Sequence, residues 1–335
     1  MKGVSVAASG VVLLLLTACS ASLRSGPPAP EPFTGYVADV DTVTPFDTVT
    51  GTVFTPIKVG QSAVAIAITP DGKTAYVVSS RSDTVTPINT ATRTAGHPIR
   101  VGRSPFAIAI TPDGKTAYVA NADSDTVTPI STATNTAGKP IKAGQSPIAI
   151  AITPDGKTAY VVNDDPSGTG TVTPISTGTD TAEKPITVGA YPDAIAITPD
   201  GKTAYVANES PGTVTPIDLA TNMAGKPIKI GQILVAIAIT PDGKTAYVVG
   251  GPSGGGGGTM TPIRTATDAV GKPINVGGDP QRIAIIVGGT TWGGMTAYVV
   301  NGYPGTVTPI RIPAGTAEQP ISVGGFPVPI AITPG

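Results

Sequence analysis

Few side chains in this sequence could take part in catalysis or bind a transition metal. The only histidine is His97 and the only cysteine is Cys19. Zinc, copper and haem sites draw on several His or Cys ligands, and Ser-His-Asp or Cys-His nucleophiles need a histidine beside them. His97 lies in a TAGHPI segment whose counterparts carry Lys139 and Lys226. We therefore predict that His97 is a surface residue. We also predict that the chain has no catalytic residue and no binding site for zinc, copper or haem.

Carboxylates in loop segments are the remaining candidate ligands. They are suited to calcium, but the D-x-[DN]-x-[DN]-G pattern of a calcium loop is absent. The glycine-rich segment 250–258 lacks the Lys-Ser/Thr pair and the helix of a phosphate loop. Calcium stays open as a ligand, and no other cofactor is expected.

The overall charge argues against nucleic acid as a partner. The chain has 21 Lys and Arg against 22 Asp and Glu, with five Phe and one Trp. Phosphate binding requires a basic excess and single-stranded bases stack on aromatic side chains, so neither mode is favoured. The 40% of apolar residues, arranged in regular alternation, can instead form a large core.

The N-terminal segment has the pattern of an export signal. Lys2 precedes the apolar run 11–16, which is too short to span a bilayer. Residues 16–19, Leu-Thr-Ala-Cys, resemble the lipobox of bacterial lipoproteins. The resemblance implies a signal peptide over residues 1–18 and a lipidated Cys19 that holds the chain on the extracytoplasmic side of the bacterial cell envelope. The alternative is an ordinary cleaved signal with an unrelated cysteine. Residues 19–34, rich in Ser and Pro, are expected to form a tether.

The rest of the chain, residues 35–335, is one repeated unit. Its marker is the TVTP sequence, whose prolines recur 42 to 47 residues apart. One unit contains four strand signals, FAIAI, TAYVAN, TVTPI and PIKAG, separated by Pro-Asp-Gly, polar and Ala-Gly-Lys turns. Such a unit is typical of a propeller blade, so we predict an all-β, seven-bladed β-propeller with four antiparallel strands per blade. The marker prolines are Pro45, Pro87, Pro129, Pro174, Pro216, Pro262 and Pro309.

The two ends of the repeat region predict how the ring closes. The first unit lacks its AIAITPDG strand, and residues 329–334 supply a single copy of that strand at the C-terminus. We expect the last strand to complete the first blade. The TVTP prolines are expected where the missing N–H points away from a partner or at a bulge, and the KPI prolines should open and blunt the outermost strand.

The segments AYVAN (117–121 and 204–208) and AYVVN (159–163 and 297–301) resemble the YVTN-family β-propeller repeat. Val or Ala replaces the motif's Thr, proline stands at a strand position that is usually apolar, and the TPDGK turn is lost in the unit at residues 283–300. The resemblance implies a cell-surface or periplasmic protein, with lactonases and surface-layer proteins among the relatives. Function does not follow from fold alone.

A single binding site must use positions that differ between the copies. In an antiparallel meander, the TPDGK and Ala-Gly-Lys turns lie at one end, or pole, of the propeller axis. The polar loops and the VGxSP segments that cross from one blade to the next lie at the other pole. The variable residues fall on the second pole, where an axial funnel is the expected binding site. The candidate binding residues are Arg81, Asp83, Arg103, Phe106, Asp125, Asp164, Tyr191, Asp193, Glu209, Gln281, Arg282 and Phe326.

Three functional hypotheses remain. The leading one is a non-enzymatic, monomeric envelope lipoprotein that binds a protein or glycan. The first alternative is a lactonase-type hydrolase that activates water with funnel carboxylates or a bound cation. The second alternative is a purely structural envelope component.

Overall fold

The computed structural model describes residues 34–48, 50–251, 257–287, 294–302, 305–323 and 330–332. The signal peptide, nearly all of the tether, Cys19 and Phe326 lie outside these residues. Within them the structure is almost wholly β, with one 3₁₀ helix at Ala122–Ser124. No helix in these ranges has the length and apolar character needed to cross a membrane.

The strands form seven antiparallel sheets, which confirms the seven-bladed propeller. The inner strands, next to the propeller axis, are Ala63–Ile68, Pro105–Ile110, Pro147–Ile152, Pro192–Ile197, Ile233–Ile239, Pro280–Val287 and Ile330–Ile332. The second strands are Thr34–Asp39, Thr74–Ser79, Thr116–Asn121, Thr158–Asp164, Thr203–Asn208, Thr245–Gly251 and Met295–Asn301. The third strands are Thr42–Asp47, Thr84–Asn89, Thr126–Ser131, Gly170–Ser176, Thr213–Asp218, Gly258–Arg264 and Thr306–Ile312.

The outer edge of a blade consists of two short pieces. Both pair with the third strand. The first pieces are Thr94–Ala95, Thr136–Ala137, Thr181–Ala182, Met223–Ala224, Ala269–Val270 and Thr316–Ala317, with the bridge Phe46↔Val53 in the first blade. The second pieces are Ile57–Lys58, Ile99–Arg100, Ile141–Lys142, Ile186–Thr187, Ile228–Lys229, Ile274–Gly277 and Ile321–Ser322. We number the blades 1 to 7, beginning with the sheet that contains Thr34–Asp39.

This split edge corrects one detail of the sequence interpretation and explains the TVTP prolines. The Ala-Gly-Lys segment is not the turn; the turn lies earlier, before Thr136–Ala137. In blade 3, the Pro129 carbonyl accepts a hydrogen bond from Gly138 N at 2.7 Å, on the outer side. Because the N–H and C=O of a strand residue point to the same side, the missing donor of Pro129 also faces the outer edge, where the edge is interrupted. The proline therefore costs the sheet no ladder bond to the second strand.

The C-terminal strand closes the ring as predicted. Ile330–Ile332 pairs antiparallel with Thr34–Asp39 in the register Val37↔Ile330 and Gly35↔Ile332. It also contacts the inner strands of blades 7 and 2. Ile330 and Ala331 are buried.

The core lies between adjacent blades. One face of the inner and second strands of blade 4, including Ala149 and Tyr160, packs on Ile195 and Val206 of blade 5. Alternation along a strand gives each blade an alanine-bearing face and an isoleucine-bearing face, so each blade packs against two neighbours. The same arrangement recurs around the ring.

The blades have two different poles. At the pole that we call the turn pole, the first and third turns of a blade meet, as in the bond from Thr132 N to Lys115 O of 3.0 Å. At the opposite loop pole, the loop after the second strand meets the crossing between blades; Ala122 N, for example, donates to Ser104 O at 2.9 Å. This is the division expected for an antiparallel meander.

Candidate functional site

Four candidate residues in blades 2 and 3 form hydrogen bonds that connect the loops to neighbouring segments. The carboxylate of Asp83 accepts a bond from Ser104 N at 2.8 Å, and that of Asp125 accepts one from Ser146 N at 2.9 Å. Arg103 donates from Nη2 to Asp123 O at 3.1 Å, and the backbone N of Arg81 donates to Gln61 O. These bonds fasten loops to the crossings, so the side chains of Asp83, Arg103 and Asp125 have a structural explanation. The Arg81 bond uses only its backbone N–H.

A bulge at the loop-pole end of each inner strand positions the other candidates. In blade 5 the pairing shifts between Pro192 and Ala194, which leaves Asp193 as the additional residue. The same position in the other blades is mostly apolar, so a carboxylate there is a departure from the repeat. The corresponding residues are Val64, Phe106, Ile148, Val235 and Gln281.

Arg282 is the second departure. It follows the bulge of blade 7, at a position where blades 2 to 6 have alanine. Its side chain is only 4% exposed, and Nη1 donates to Val235 O of blade 6 at 3.2 Å and to Gln281 O at 2.6 Å. Arg282 thus reaches from blade 7 towards the neighbouring inner strand at the loop pole.

Asp193 is buried without a hydrogen-bond partner. Its relative exposure is 7%, and within the described ranges its carboxylate accepts no hydrogen bond and forms no ion pair. Burial raises the pKa of Asp193 to about 7, the charge of Arg282 opposes this shift, and Glu209 and Asp164 add to it. These three neighbours belong to blades 7, 5 and 4, so Asp193 lies where the blades converge on the axis.

Asp164 and Glu209 complete the charged group. Asp164 ends the second strand of blade 4, and its Oδ1 is buried without a partner in the described structure. Burial, followed by the charges of Glu209 and Asp165, raises the pKa of Asp164. Burial lowers the pKa of Arg282, and Asp193 opposes that shift. Arg282 keeps its charge, because guanidinium does not deprotonate in proteins.

Tyr191 lies beside these carboxylates and is exposed. Its side chain is 46% exposed, and a Cβ on Gly168, in the loop after Asp164, would lie 3.5 Å from its hydroxyl. Its carbonyl accepts a bond from Glu209 N at 2.8 Å. Its φ is 50°, and Ser104 and Ser146, which precede the inner strands of blades 3 and 4, have φ values of 50° and 47°. Tyr191 therefore replaces the serine of the repeat in a left-handed conformation that the fold already imposes.

We call the group Asp164, Tyr191, Asp193, Glu209 and Arg282 the axial mouth. Phe106 and Gln281 lie at equivalent bulges. Phe106 packs on the core between blades, and Gln281 Nε2 is 3.5 Å from Asp279 O. Sequence reasoning selected all of these residues, but it did not predict that the charge of Arg282 acts on Asp193, and it missed the Val235 carbonyl.

Metal binding at the axial mouth has no geometric support in the described residues, where no three His, Cys, Asp or Glu side chains form a group that could hold a metal ion. Calcium binding stays a prediction.

Comparisons with known proteins agree on the fold. Residues 48–165 match the family described as YNCE-like beta-propeller, and no curated protein matches. A solved structure of hydrazine synthase from Kuenenia stuttgartiensis is similar, with 25% identity, coverage of 82% of this chain and 86% of that chain, and a TM-score of 0.69.

Two further solved structures are similar at lower identity. A functionally unknown protein from Desulfotomaculum acetoxidans DSM 771 has 18% identity, coverage of 90% and 99%, and a TM-score of 0.75. A protein from Bacteroides uniformis ATCC 8492, provisionally named a 6-phosphogluconolactonase, has 16% identity, coverage of 90% and 99%, and a TM-score of 0.72. At these identities the likeness concerns the fold alone. The chain is a seven-bladed β-propeller repeat protein with lactonase-like and functionally unknown structural neighbours.

Proposed function

We propose that this chain is a membrane-anchored extracytoplasmic lipoprotein of YVTN type, whose propeller is a non-enzymatic binding module for a protein or glycan at the bacterial cell envelope. The observation that carries the binding role is the axial mouth. There, Asp193 and Arg282 replace the apolar and alanine residues of the repeat, at a cost in burial that no bond of Asp193 within the described residues offsets. Charged groups that are expensive to bury and lack internal partners are typical of sites that bind something else.

The anchor rests on the lipobox-like residues 16–19. We expect cells that express the full chain to incorporate labelled palmitate into it, and a Cys19→Ala variant to incorporate none. Equal labelling of both proteins would contradict lipid attachment at Cys19.

The binding role is tested by capture from envelope extract with the detergent-solubilised full chain. We expect a specific protein or glycan to be captured by the parent chain and by a Lys115→Ala variant at the turn pole. A Tyr191→Ser variant, which restores the residue that blades 3 and 4 carry, should capture less. Equal losses in the two variants would contradict a site at the loop pole. Parallel captures in calcium and in chelator decide whether calcium takes part.

A lactonase-type hydrolase is the second candidate, because a carboxyl with a pKa of about 7 is suited to general-base catalysis at neutral pH. This activity predicts turnover of lactones that disappears in Asp193→Asn. A panel of lactones that stays intact, with and without divalent metals, would count against it.

A further inference from the structure

We infer that the axial mouth binds an aliphatic primary ammonium group, of the kind carried by a lysine side chain or a polyamine, and that Asp193 receives it. This inference rests on the proposed binding function and names the chemistry of its ligand. Within the described residues, the axial mouth is where buried carboxylates lack a hydrogen-bond partner, and such groups favour a cationic ligand.

The charge balance at the axial mouth favours a cation. Within the described residues, the charges that act on Asp193 are those of Arg282, Glu209 and Asp164, and Asp164 is also influenced by Asp165. The group therefore has one cation, Arg282, for four carboxylates. Two carbonyl oxygens already accept bonds from that guanidinium. An anionic ligand such as a sugar phosphate would therefore meet three or four carboxylates for one arginine, and repulsion would oppose its binding.

The unsatisfied atoms specify a donor. Asp193 as a whole residue is only 7% exposed, and its carboxylate accepts no bond within the described residues. Asp164 Oδ1 is buried and has no partner there either. Ionised carboxylates only accept hydrogen bonds, and an ammonium group offers three donors and no acceptor. The bonds it forms are charge-assisted, so they restore part of the solvation that burial removes.

The surroundings specify a narrow aliphatic stem. Asp193 is recessed, and the equivalent bulges of blades 2 to 4 present Val64, Phe106 and Ile148 around the same axis. Methylene groups can pack on these apolar side chains while the ammonium reaches the carboxylate. The exposed ring of Tyr191 adds an aromatic face next to the acidic group, where a cation is attracted to the π system.

Matched probes test the ammonium group directly. Titration calorimetry on the detergent-solubilised full chain would compare Nα-acetyl-lysine amide with its Nε-acetylated form, and 1,5-diaminopentane with its diacetylated form. We expect each amine to bind at least tenfold more tightly than its acetylated counterpart. The two pairs also separate the sources: a preference for the lysine derivative indicates a protein ligand, and a preference for the diamine indicates a free polyamine.

Two variants test the role of Asp193. Asp193→Val introduces a residue that the repeat already contains, because Val64 and Val235 occupy the equivalent bulge positions in blades 2 and 6. Asp193→Asn keeps the shape and removes the charge. Both should weaken amine binding at least tenfold, whereas Asp123→Asn, at an exposed loop position of blade 3, should change it less than twofold.

Binding should also depend on pH. The charged groups that face Asp193 are Arg282 from blade 7, Glu209 from its own blade and Asp164 from blade 4. Since burial raises the pKa of Asp193 to about 7, the carboxylate is mostly protonated at pH 6 and mostly ionised at pH 8. Amine affinity should therefore rise between pH 6 and pH 8 in the parent chain and stay flat in Asp193→Asn.

Several results would overturn the inference: no heat from either amine at millimolar concentration, equal binding of free and acetylated probes, or unchanged binding in Asp193→Asn. If those results occur while capture of an envelope partner persists, the proposed binding function stands and the ammonium inference fails. If the amines bind as expected and no partner is captured, the ammonium inference stands and the proposed binding of a protein or glycan fails.

Discussion

At the scale of single residues, some carboxylates stabilise the fold through hydrogen bonds, and others destabilise it because they are buried without one. In the TPDGK turn of blade 3, Thr111 Oγ1 donates to Asp113 Oδ1 at 2.6 Å, and Lys115 N donates to the same oxygen at 3.1 Å. These bonds lower the pKa of Asp113. Asp193 is the opposite case, because burial disfavours its charged form and no bond in the described part of the chain compensates.

This contrast predicts how stability depends on pH. Folding raises the pKa of Asp193 from about 4 to about 7, so the folded state binds an additional proton between these values. The free energy of unfolding contributed by this group therefore falls as the pH rises through that window, and the full penalty is present above pH 7. Asp193→Asn should stabilise the protein at pH 8 by up to about 4 kcal/mol, because the shift spans about three pKa units at ~1.4 kcal/mol each.

Urea unfolding at pH 4 and pH 8 measures the effect. The stabilisation should shrink at pH 4, where the parent Asp193 is already protonated in the folded state. Equal effects of Asp193→Asn at the two pH values would mean that its carboxylate is not held in the protonated form by burial.

A second prediction at this scale concerns the glycine of the same turn. Gly114 has a φ of +72°, and a Cβ there would lie 3.4 Å from the ring of Pro70 in blade 2. Side chains disfavour this backbone conformation, so Gly114→Ala should lower the free energy of unfolding by about 1 kcal/mol. Gly178, in blade 4, does not have a positive φ, and a Cβ there would meet nothing within 4 Å. Gly178→Ala is therefore the matched control, and we expect it to change urea stability by less than about 0.5 kcal/mol.

At the scale of elements, a tyrosine in the second strand links most blades to the next. Tyr118 of blade 3 donates to Asp180 Oδ1 at 2.8 Å and to Thr177 O at 3.2 Å, both in the outer turn of blade 4. Burial, and then the bond to Asp180, raises the pKa of Tyr118. Tyr76, Tyr160 and Tyr205 form the same link to an Asn or Asp side chain.

Blade 6 lacks this link and provides a natural control. Tyr247 is buried but donates no hydrogen bond within the described residues, and Gly315 stands where the outer turns of blades 3 to 6 have Asn or Asp. Tyr118→Phe should lower the free energy of unfolding by about 1–2 kcal/mol, because it removes a bond to a charged group. Tyr247→Phe should change it by less than about 0.5 kcal/mol. Thermal or urea unfolding of the two variants compares them, and similar losses would show that the hydroxyl bond does not stabilise the blade contact.

At the scale of the whole molecule, the repeat made the architecture predictable. Alternating Ala and Ile at the inner strand, Tyr and Val at the second, and regular spacing all specify the same blade. The strand missing from the first unit and the single copy of it at the C-terminus predicted how the ring closes. The split outer edge escaped prediction because Thr136–Ala137 has no hydrophobic signal of its own and forms a strand only through its pairing with the third strand.

The sequence predicted which positions belong to the candidate site, but it did not predict which of these residues lie near one another. Departure from the repeat identified Asp193 and Arg282, but they lie 89 residues apart, and their charges influence each other only because the ring brings blades 5 and 7 to one axis. Asp83 and Asp125 also stand at a position that varies between blades, either Asp or Gly, yet their carboxylates accept bonds from the next crossing. Sequence alone does not distinguish a carboxylate with a backbone partner from one without.

Ring closure supports a last prediction, because both ends of the chain contribute to blade 1. Deletion of residues 329–335 removes Ile330 and Ala331 from the core and leaves the backbone of Tyr36 and Val37 at an open sheet edge. The loss of a buried isoleucine alone costs about 2–5 kcal/mol, and an unpaired inner edge favours association between molecules. We expect the shortened chain to unfold at lower temperature and to elute as dimers or larger species in size-exclusion chromatography with light scattering. A chain that ends at residue 332 keeps the paired strand and should behave as the parent does. If the chain without residues 329–335 were as stable and as monomeric as that control, pairing between the two ends would not hold the ring together.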